Sequence, residues 1–261
     1  MADLKRGLIL NPGAVKFALK TYIDRSAFPA VPAVFGHYDL VPANGWGMLA
    51  NDRLSNCVLA GRAHETMMLT AEGGNAAVFS DASVIADYAA VTGYDPKIPG
   101  SDAGTDMLSA AEYSRTIGIL DASGKRHKIA AYLSLDPTDL TDLFIADYLF
   151  NAIGIGLNLP SSAETQFDLN QVWRVMPGAT NIGGHYVPFL GRRADQGLMI
   201  VTWGATVPAT RAFFDRYAEE AVVYVSTEAM VNQKSPEGFD YNQLIADLKN
   251  LASKGNTPVI T

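Results

Sequence analysis

A single cysteine is the strongest candidate for chemistry in this 261-residue chain. Cys57 begins a stretch rich in Ala, Leu, Met and Glu, which predicts a helix that ends near Gly73. Unpaired N–H groups and the positive end of the helix dipole stabilise a thiolate, so we predict that Cys57 is a nucleophile with a lowered pKa. The alternative is that Cys57 is a small buried apolar side chain, the commonest role of a free cysteine.

A nucleophilic thiol needs a base, and the chain offers four histidines, which are His37, His64, His127 and His185. His64 lies on the same predicted helix as Cys57, about 10 Å away along the axis, which is too far to reach the sulfur. His127 lies in a charged turn and is expected to be solvated, and nothing orients His37. His185 follows paired glycines at the start of an apolar strand, and paired glycines admit a second backbone or a substrate. The alternative for His185 is a hydrogen-bonded histidine at a strand end.

Helices and strands separate along the chain, and they must position these side chains. Periodicity and capping residues predict helices near 57–70, 80–92, 107–118, 140–152, 209–217 and 241–253. Alternation predicts strands near 128–135, 153–159, 184–190, 198–203 and 221–226. This pattern predicts an α+β fold, with helices mainly in the first half and an antiparallel sheet mainly in the second half. Pro188, inside the strand that carries His185, predicts an edge strand or a bulge.

The chain divides into three parts in this interpretation. Residues 1–45 hold four prolines and few periodic signals, apart from a possible short helix at 15–24, so we expect an N-terminal arm that lies across the domain. Residues 46–228 form the main domain, and residues 229–261 form a C-terminal helical extension.

Composition excludes several classes of function. The net charge of −7, with no basic block, argues against nucleic acid or an anionic membrane surface as a partner. No apolar run approaches the ~20 residues that span a bilayer, and the N-terminus lacks an apolar signal core, so a cytoplasmic protein is expected. One cysteine excludes an internal disulfide and a cysteine-based zinc cluster. No phosphate-binding or dinucleotide-binding glycine motif occurs, and the acidic loop at 101–106 has too few ligands at EF-hand spacing to bind calcium. We therefore expect no cofactor and no metal.

The order of these segments resembles the papain-like cysteine peptidases, and most of all the compact papain-fold proteins of bacteriophages and bacteria that are related to C39-like peptidases. The resemblance runs from about Gly45 to Ser226. Four segments carry it, and they are Trp46-Gly-Met-Leu-Ala-Asn-Asp-Arg-Leu-Ser-Asn-Cys57 with Ala63-His-Glu65, Gly104-Thr-Asp-Met107, Gly183-Gly-His185 and Thr202-Trp-Gly204.

The resemblance implies a role for each matching residue. Cys57 matches the nucleophile and His185 the general base. Asn51 stands where the family keeps the glutamine of its oxyanion hole, with the Cys57 N–H as the second donor. Val201 stands where the family keeps an asparagine or aspartate that orients the histidine, and valine cannot form that hydrogen bond. We therefore expect Val201 to point behind His185, and Val201→Asn to raise activity.

The sequence thus predicts a papain-fold cysteine hydrolase that cuts peptide or amide bonds in a peptide or protein substrate. The alternative is a catalytically weak or inactive papain-fold structural protein, such as a bacteriophage virion component. In that case the partners are neighbouring virion subunits, and the protein is virion-associated in a host cell. The proline-rich arm and Val201 favour this alternative, whereas Asn51, Cys57 and His185 together favour the enzyme.

Overall fold

The centre of the fold is a six-stranded antiparallel sheet, seen in a computed structural model that describes residues 4–15, 18–19, 30–151, 153–194 and 197–228. Its strands lie in the order β3-β8-β4-β5-β6-β7. They are β3 (Ala131–Leu135), β4 (Ile153–Pro160), β5 (Asn181–Arg192), β6 (Leu198–Thr202), β7 (Ala205–Ala209) and β8 (Ala218–Val225). A separate two-stranded ladder joins β1 (Ile119–Leu120) to β2 (Arg126–His127).

Three of the α-helices in the described chain come before β3, and three come after it. They are α1 (Cys57–Glu72), α2 (Asp81–Thr92), α3 (Met107–Thr116), α4 (Leu140–Phe150), α5 (Ser161–Asp168) and α6 (Arg211–Tyr217). Local signals set their ends: Ser80 and Ser83 form a capping box at the start of α2, and Gly93 ends it in a left-handed conformation. The predicted α+β arrangement is confirmed.

Two apolar layers cover the two faces of the sheet. On one face Tyr186, Leu190 and Val201 pack with α1, α2 and α3. On the other face Val187 and Ile200 pack with α4 and α6. Successive residues of a strand point to opposite faces of the sheet. The layer in which one residue of β5 or β6 packs therefore shows to which face its neighbours point.

Helix α1 packs closely against β5, and this brings the start of the helix near the sheet. A Cβ on Gly61 would lie 2.3 Å from the Tyr186 ring, so only glycine allows this approach of helix to strand. The Tyr186 hydroxyl donates to Glu65 Oε1 at 2.5 Å, and Glu65 also pairs with Arg62. These buried groups satisfy one another and fix the rotation of α1 against the sheet.

Several details differ from the sequence-based expectations. Helix α5 and strand β7 were not predicted, because each is short and lies beside turn residues. Pro188 lies in β5, which is an interior strand; the edge-strand prediction is wrong, and a register shift on the β6 side falls nearby, between Phe189 and Gly191. The expected helix at 241–253 lies outside the described residues, as does most of the one expected at 15–24. Within the described part of the chain, no helix is long and apolar enough to cross a bilayer.

Candidate active site

Cys57 is the first residue of α1, as predicted, and it is buried with 2% exposure. Backbone N–H groups of Tyr186, Gly7 and Leu8 hydrogen-bond to its sulfur. Burial raises the pKa of the thiol to about 11, and these N–H groups offset only part of that effect. The expected lowering of the Cys57 pKa is therefore wrong for this conformation, because loss of water outweighs the helix N-terminus.

His185 lies on β5 and is fully buried. Its Nε2 atom lies 2.7 Å from Thr202 Oγ1, and its ring stacks on Trp203 with centroids 4.6 Å apart. Burial lowers the pKa of His185 to about 3, and the positive charge of Arg6 adds to the effect. Its Nδ1 atom has no hydrogen-bond partner among the described residues. The imidazole is thus neutral and held at one nitrogen.

Val201 does not point behind His185. It packs with Cys57 and Leu190 in the layer beneath α1, whereas Ile200 packs in the opposite layer. Alternation along β6 sends Thr202 to the same face as Ile200, and Thr202 meets His185 there. The expectation that Val201 lies behind His185 is therefore wrong, and β6 meets His185 through Thr202, the next residue.

A tight hairpin joins β6 to β7 beside the histidine. Thr202 pairs with Ala205, and the two turn residues, Trp203 and Gly204, have φ angles of 46° and 75°. A positive φ is costly for a tryptophan, and such strain is concentrated at functional sites. The Trp203 indole N–H donates to the Lys5 carbonyl at 3.1 Å, which helps to hold the turn.

Asn51 lies in the loop directly before α1 and is buried with 2% exposure. Its Nδ2 atom donates to the Leu54 carbonyl at 3.1 Å, which uses one of two N–H groups of the carboxamide. Leu49 and Ala50, just upstream, have φ angles of 53° and 64°. The loop is therefore tightly wound beside Cys57, and the oxyanion role of Asn51 stays a prediction.

Two other histidines lie away from the thiol. His64 is buried, and its Nε2 atom lies 3.1 Å from the Trp46 carbonyl and 3.0 Å from the Gly47 carbonyl. Burial lowers the pKa of His64 to about 4, so it is a neutral, structural histidine. His37 contacts Glu72, the last residue of α1, and so lies at the opposite end of that helix from Cys57.

His127 is buried, so the expectation of a solvated side chain is wrong. Its Nδ1 atom lies 2.9 Å from Glu228 and its Nε2 atom lies 3.1 Å from Asp121. These two carboxylates are the partners that allow the imidazole to be buried. Among the described residues, no group of three or more His, Cys, Asp or Glu side chains is arranged to hold a metal ion.

The N-terminal segment lies over the thiol, between the helical layer and the sheet. We call residues 5–9 the covering segment. The N–H of Leu8 donates to the Gly184 carbonyl at 3.2 Å on the sheet side. On the helical side the N–H of Ile9 donates to the Thr105 carbonyl at 3.0 Å, and the N–H of Thr105 donates to the Gly7 carbonyl at 2.9 Å. An extended chain is therefore hydrogen-bonded to both walls of a cleft.

Glycines make this close approach possible. A Cβ on Gly7 would lie 1.7 Å from the Ser55 carbonyl oxygen, and one on Gly184 would lie 2.1 Å from the Leu8 carbonyl oxygen. The prediction that the paired glycines before His185 admit a second backbone is confirmed for Gly184, whereas a Cβ on Gly183 would have only Arg6 Nε nearby, at 3.8 Å. That backbone is the chain's own N-terminal segment, which has no signal in the sequence beyond Gly7 and Leu8.

Two carboxylates bind the chain within the covering segment and just after it. Arg6 forms an ion pair with Glu164 of α5, and the N–H of Asn11 donates to Glu220 Oε1 at 2.8 Å. The Leu8 side chain is buried at 6% exposure and packs with the apolar layer beneath α1. The segment is thus a specific ligand of the cleft and excludes solvent from Cys57.

Solved structures with a similar fold exist, although sequence alone finds no relative. No family model matches the sequence, and no curated protein matches it. Xylellain, a cysteine protease from Xylella fastidiosa, aligns over 86% of this chain and 97% of its own, with 14% identity and a TM-score of 0.64. Procathepsin B S9 from Trypanosoma congolense aligns over 85% and 86%, with 11% identity and a TM-score of 0.59.

Digestive procathepsin L2 from Tenebrio molitor gives a further match, over 86% of this chain and 79% of its own, with 16% identity and a TM-score of 0.51. Similarity at such low identity establishes the fold alone. None of these three is described as a bacteriophage protein or a C39 peptidase, so that finer expectation stays a prediction. The chain has the α+β fold of the papain-like cysteine proteases.

Proposed function

We propose that this protein is a cysteine peptidase that uses Cys57 and His185, and that the described conformation is its closed form. One observation carries the proposal. An extended peptide segment lies on the buried thiol and is hydrogen-bonded to both cleft walls, through Gly184 on one side and Thr105 on the other. A groove that binds its own chain in this way offers the same hydrogen bonds to a peptide substrate.

The proposed chemistry needs only groups of this chain and water. The Cys57 S–H passes its proton to His185, and the thiolate attacks the carbonyl carbon of the scissile peptide bond. The N–H of Cys57 and the carboxamide of Asn51 donate to the oxygen as it becomes negative. His185 returns the proton to the departing amine, which leaves a thioester. Water, deprotonated by His185, then hydrolyses the thioester and restores the thiol.

The closed form is inactive in this proposal. Burial raises the pKa of Cys57 to about 11 and lowers that of His185 to about 3, so the thiol and the neutral imidazole are both strongly favoured over the ion pair. Departure of the covering segment returns water to both groups. Their pKa values then move towards each other, and proton transfer becomes accessible.

The structural alternative is not favoured. His185 is fully buried with only one ring nitrogen hydrogen-bonded among the described residues, and a purely structural role gives no reason to leave the other nitrogen without a partner. The strained turn at Trp203 and the left-handed residues before Asn51 also lie around this one site. The virion component is therefore the interpretation that we would adopt if no activity were found.

The test is hydrolysis of a mixed peptide library by the full-length chain. Leu8→Ser weakens the covering segment, so we expect this variant to cleave peptides faster than the wild type. Cys57→Ala in the Leu8→Ser background should abolish turnover, and His185→Ala in that background should do the same. Equal cleavage with and without Cys57, or none in Leu8→Ser despite an accessible thiol, contradicts the proposal.

A further inference from the structure

Thr202 contacts the proposed base directly, yet it is not one of the residues that the resemblance assigns. Its Oγ1 atom lies 2.7 Å from His185 Nε2, which is short for a neutral hydrogen bond and well formed. Both side chains are almost completely shielded from solvent. The other ring nitrogen, Nδ1, has no partner among the described residues. Thr202 is therefore the one described side chain that hydrogen-bonds to the His185 ring.

We propose that Thr202 is the positioning residue for His185: its hydroxyl oxygen accepts the Nε2–H and leaves the Nδ1 lone pair free to take the Cys57 proton. This inference rests on the proposed function for its meaning, although the tautomer itself can be measured without any activity.

Proton counting supports this direction of the hydrogen bond. A neutral imidazole carries one N–H, and a hydroxyl can either donate or accept. If Thr202 donated to Nε2, the proton of His185 would lie on Nδ1, and the ring could not accept the thiol proton there. With Nε2–H donating to Thr202, the S–H bond of Cys57 breaks and an Nδ1–H bond forms. The Nε2–H bond remains, and the imidazolium is still hydrogen-bonded.

The hairpin explains how one turn fixes both the tautomer and the orientation of the ring. Thr202 is the last residue of β6, and its hydroxyl meets the edge of the imidazole. Trp203 follows with its strained φ of 46°, and its indole stacks on the face of the same imidazole at an interplanar angle of 27°. The strain is offset by contacts of Trp203 with Phe167 and Trp173.

A hydroxyl orients an imidazole differently from a carboxylate or a carboxamide. It is neutral, and its acceptor oxygen sits on a short β-branched side chain with few rotamers. It therefore sets geometry and tautomer but gives the imidazolium less electrostatic stabilisation than an ionised partner would. Thr202 thus orients the His185 ring more than it stabilises a positive charge on it.

The tautomer is measured by ¹³C and ¹⁵N chemical shifts of the His185 ring in full-length protein. We expect the wild type and Thr202→Ser to show the Nε2–H form. Thr202→Val keeps the shape but removes the acceptor, so we expect the Nδ1–H form to be populated. A wild-type ring in the Nδ1–H form, or an unchanged ring in Thr202→Val, overturns the inference. Thermal melts of the three proteins exclude general unfolding as the cause.

Kinetics in the Leu8→Ser background give the second readout. Thr202→Val should lower kcat by about 10²–10⁴-fold with KM nearly unchanged, as expected when a base loses its orienting group. Thr202→Ser should retain activity within about 10-fold of the parent, because the acceptor remains. Equal kcat in Thr202→Val and its parent overturns the inference. If the tautomers behave as expected but no variant cleaves peptide, the proposed function fails while the assignment of Thr202 stands.

Discussion

The covering segment gives the sharpest prediction, because two adjacent residues differ in what they contribute to it. Leu8 is 6% exposed and packs into the layer beneath α1, whereas Ile9 is 51% exposed. Both keep their backbone hydrogen bonds when the side chain is shortened. Leu8→Ser should therefore loosen the segment, and Ile9→Ser is a matched control at the next position.

The magnitude follows from the lost burial. Removing a buried leucine side chain costs about 2–5 kcal/mol in a protein core. If about 3 kcal/mol of this loss destabilises the closed conformation relative to the open one, the open fraction rises by about 10²-fold, since every 1.4 kcal/mol changes an equilibrium constant tenfold. Shortening Ile9 removes little buried surface, so its effect should stay within about 3-fold.

Alkylation by iodoacetamide measures the open fraction, because Cys57 is the single cysteine and the covering segment shields its sulfur. We expect Leu8→Ser to be labelled about 10²-fold faster than the wild type, and Ile9→Ser at nearly the wild-type rate. Circular dichroism at the assay temperature must show that both variants stay folded. Equal labelling rates in the two variants would refute the role assigned to the segment.

Three further predictions concern groups around the cleft and the sheet. Arg6→Leu removes a positive charge that lowers the pKa of His185, so an NMR titration should show a higher pKa, and an unchanged value contradicts this effect of the Arg6 charge. Val201→Asn buries a carboxamide in an apolar layer, so it should lower the free energy of unfolding by about 1–3 kcal/mol without raising hydrolysis. Burial lowers the pKa of His127, but Glu228 and Asp121 outweigh it and raise the pKa above 6.5. The stabilisation by protonated His127 is therefore complete below that pH and is lost as pH rises through the folded value, so denaturant melts of His127→Asn and the wild type should converge at high pH.

Local signals allowed most of the fold to be predicted. The start of α1 at Cys57 and the capping of α2 by Ser80 follow from residues that are adjacent in the sequence. The glycines before His185 correctly predicted a close backbone approach. The two helix starts depend on the chain within one or two helical turns, and such information is present in a short window of sequence.

The rest depends on contacts between distant residues. His127 is buried because Glu228, about 100 residues away, reaches its Nδ1 atom. The pKa of Cys57 is raised because residues near the N-terminus cover it, and a helix N-terminus cannot offset that loss of water. Val201 was expected to lie behind His185, but the side chain that contacts His185 is Thr202, one position further along β6. Strand alternation puts Val201 and Thr202 on opposite faces of the sheet, but which of them meets His185 depends on the face to which His185 points on β5.

The central claim is that Cys57 and His185 act together as nucleophile and base in a peptide-binding cleft. Its most direct test is intact mass spectrometry of the Leu8→Ser protein after incubation with a peptidyl vinyl sulfone, with and without the added change His185→Ala. We predict one adduct per chain, located on Cys57, and a labelling rate at least about 10²-fold lower without His185. Equal labelling of the two proteins would contradict the account, because Cys57 would then be an accessible thiol that has no base.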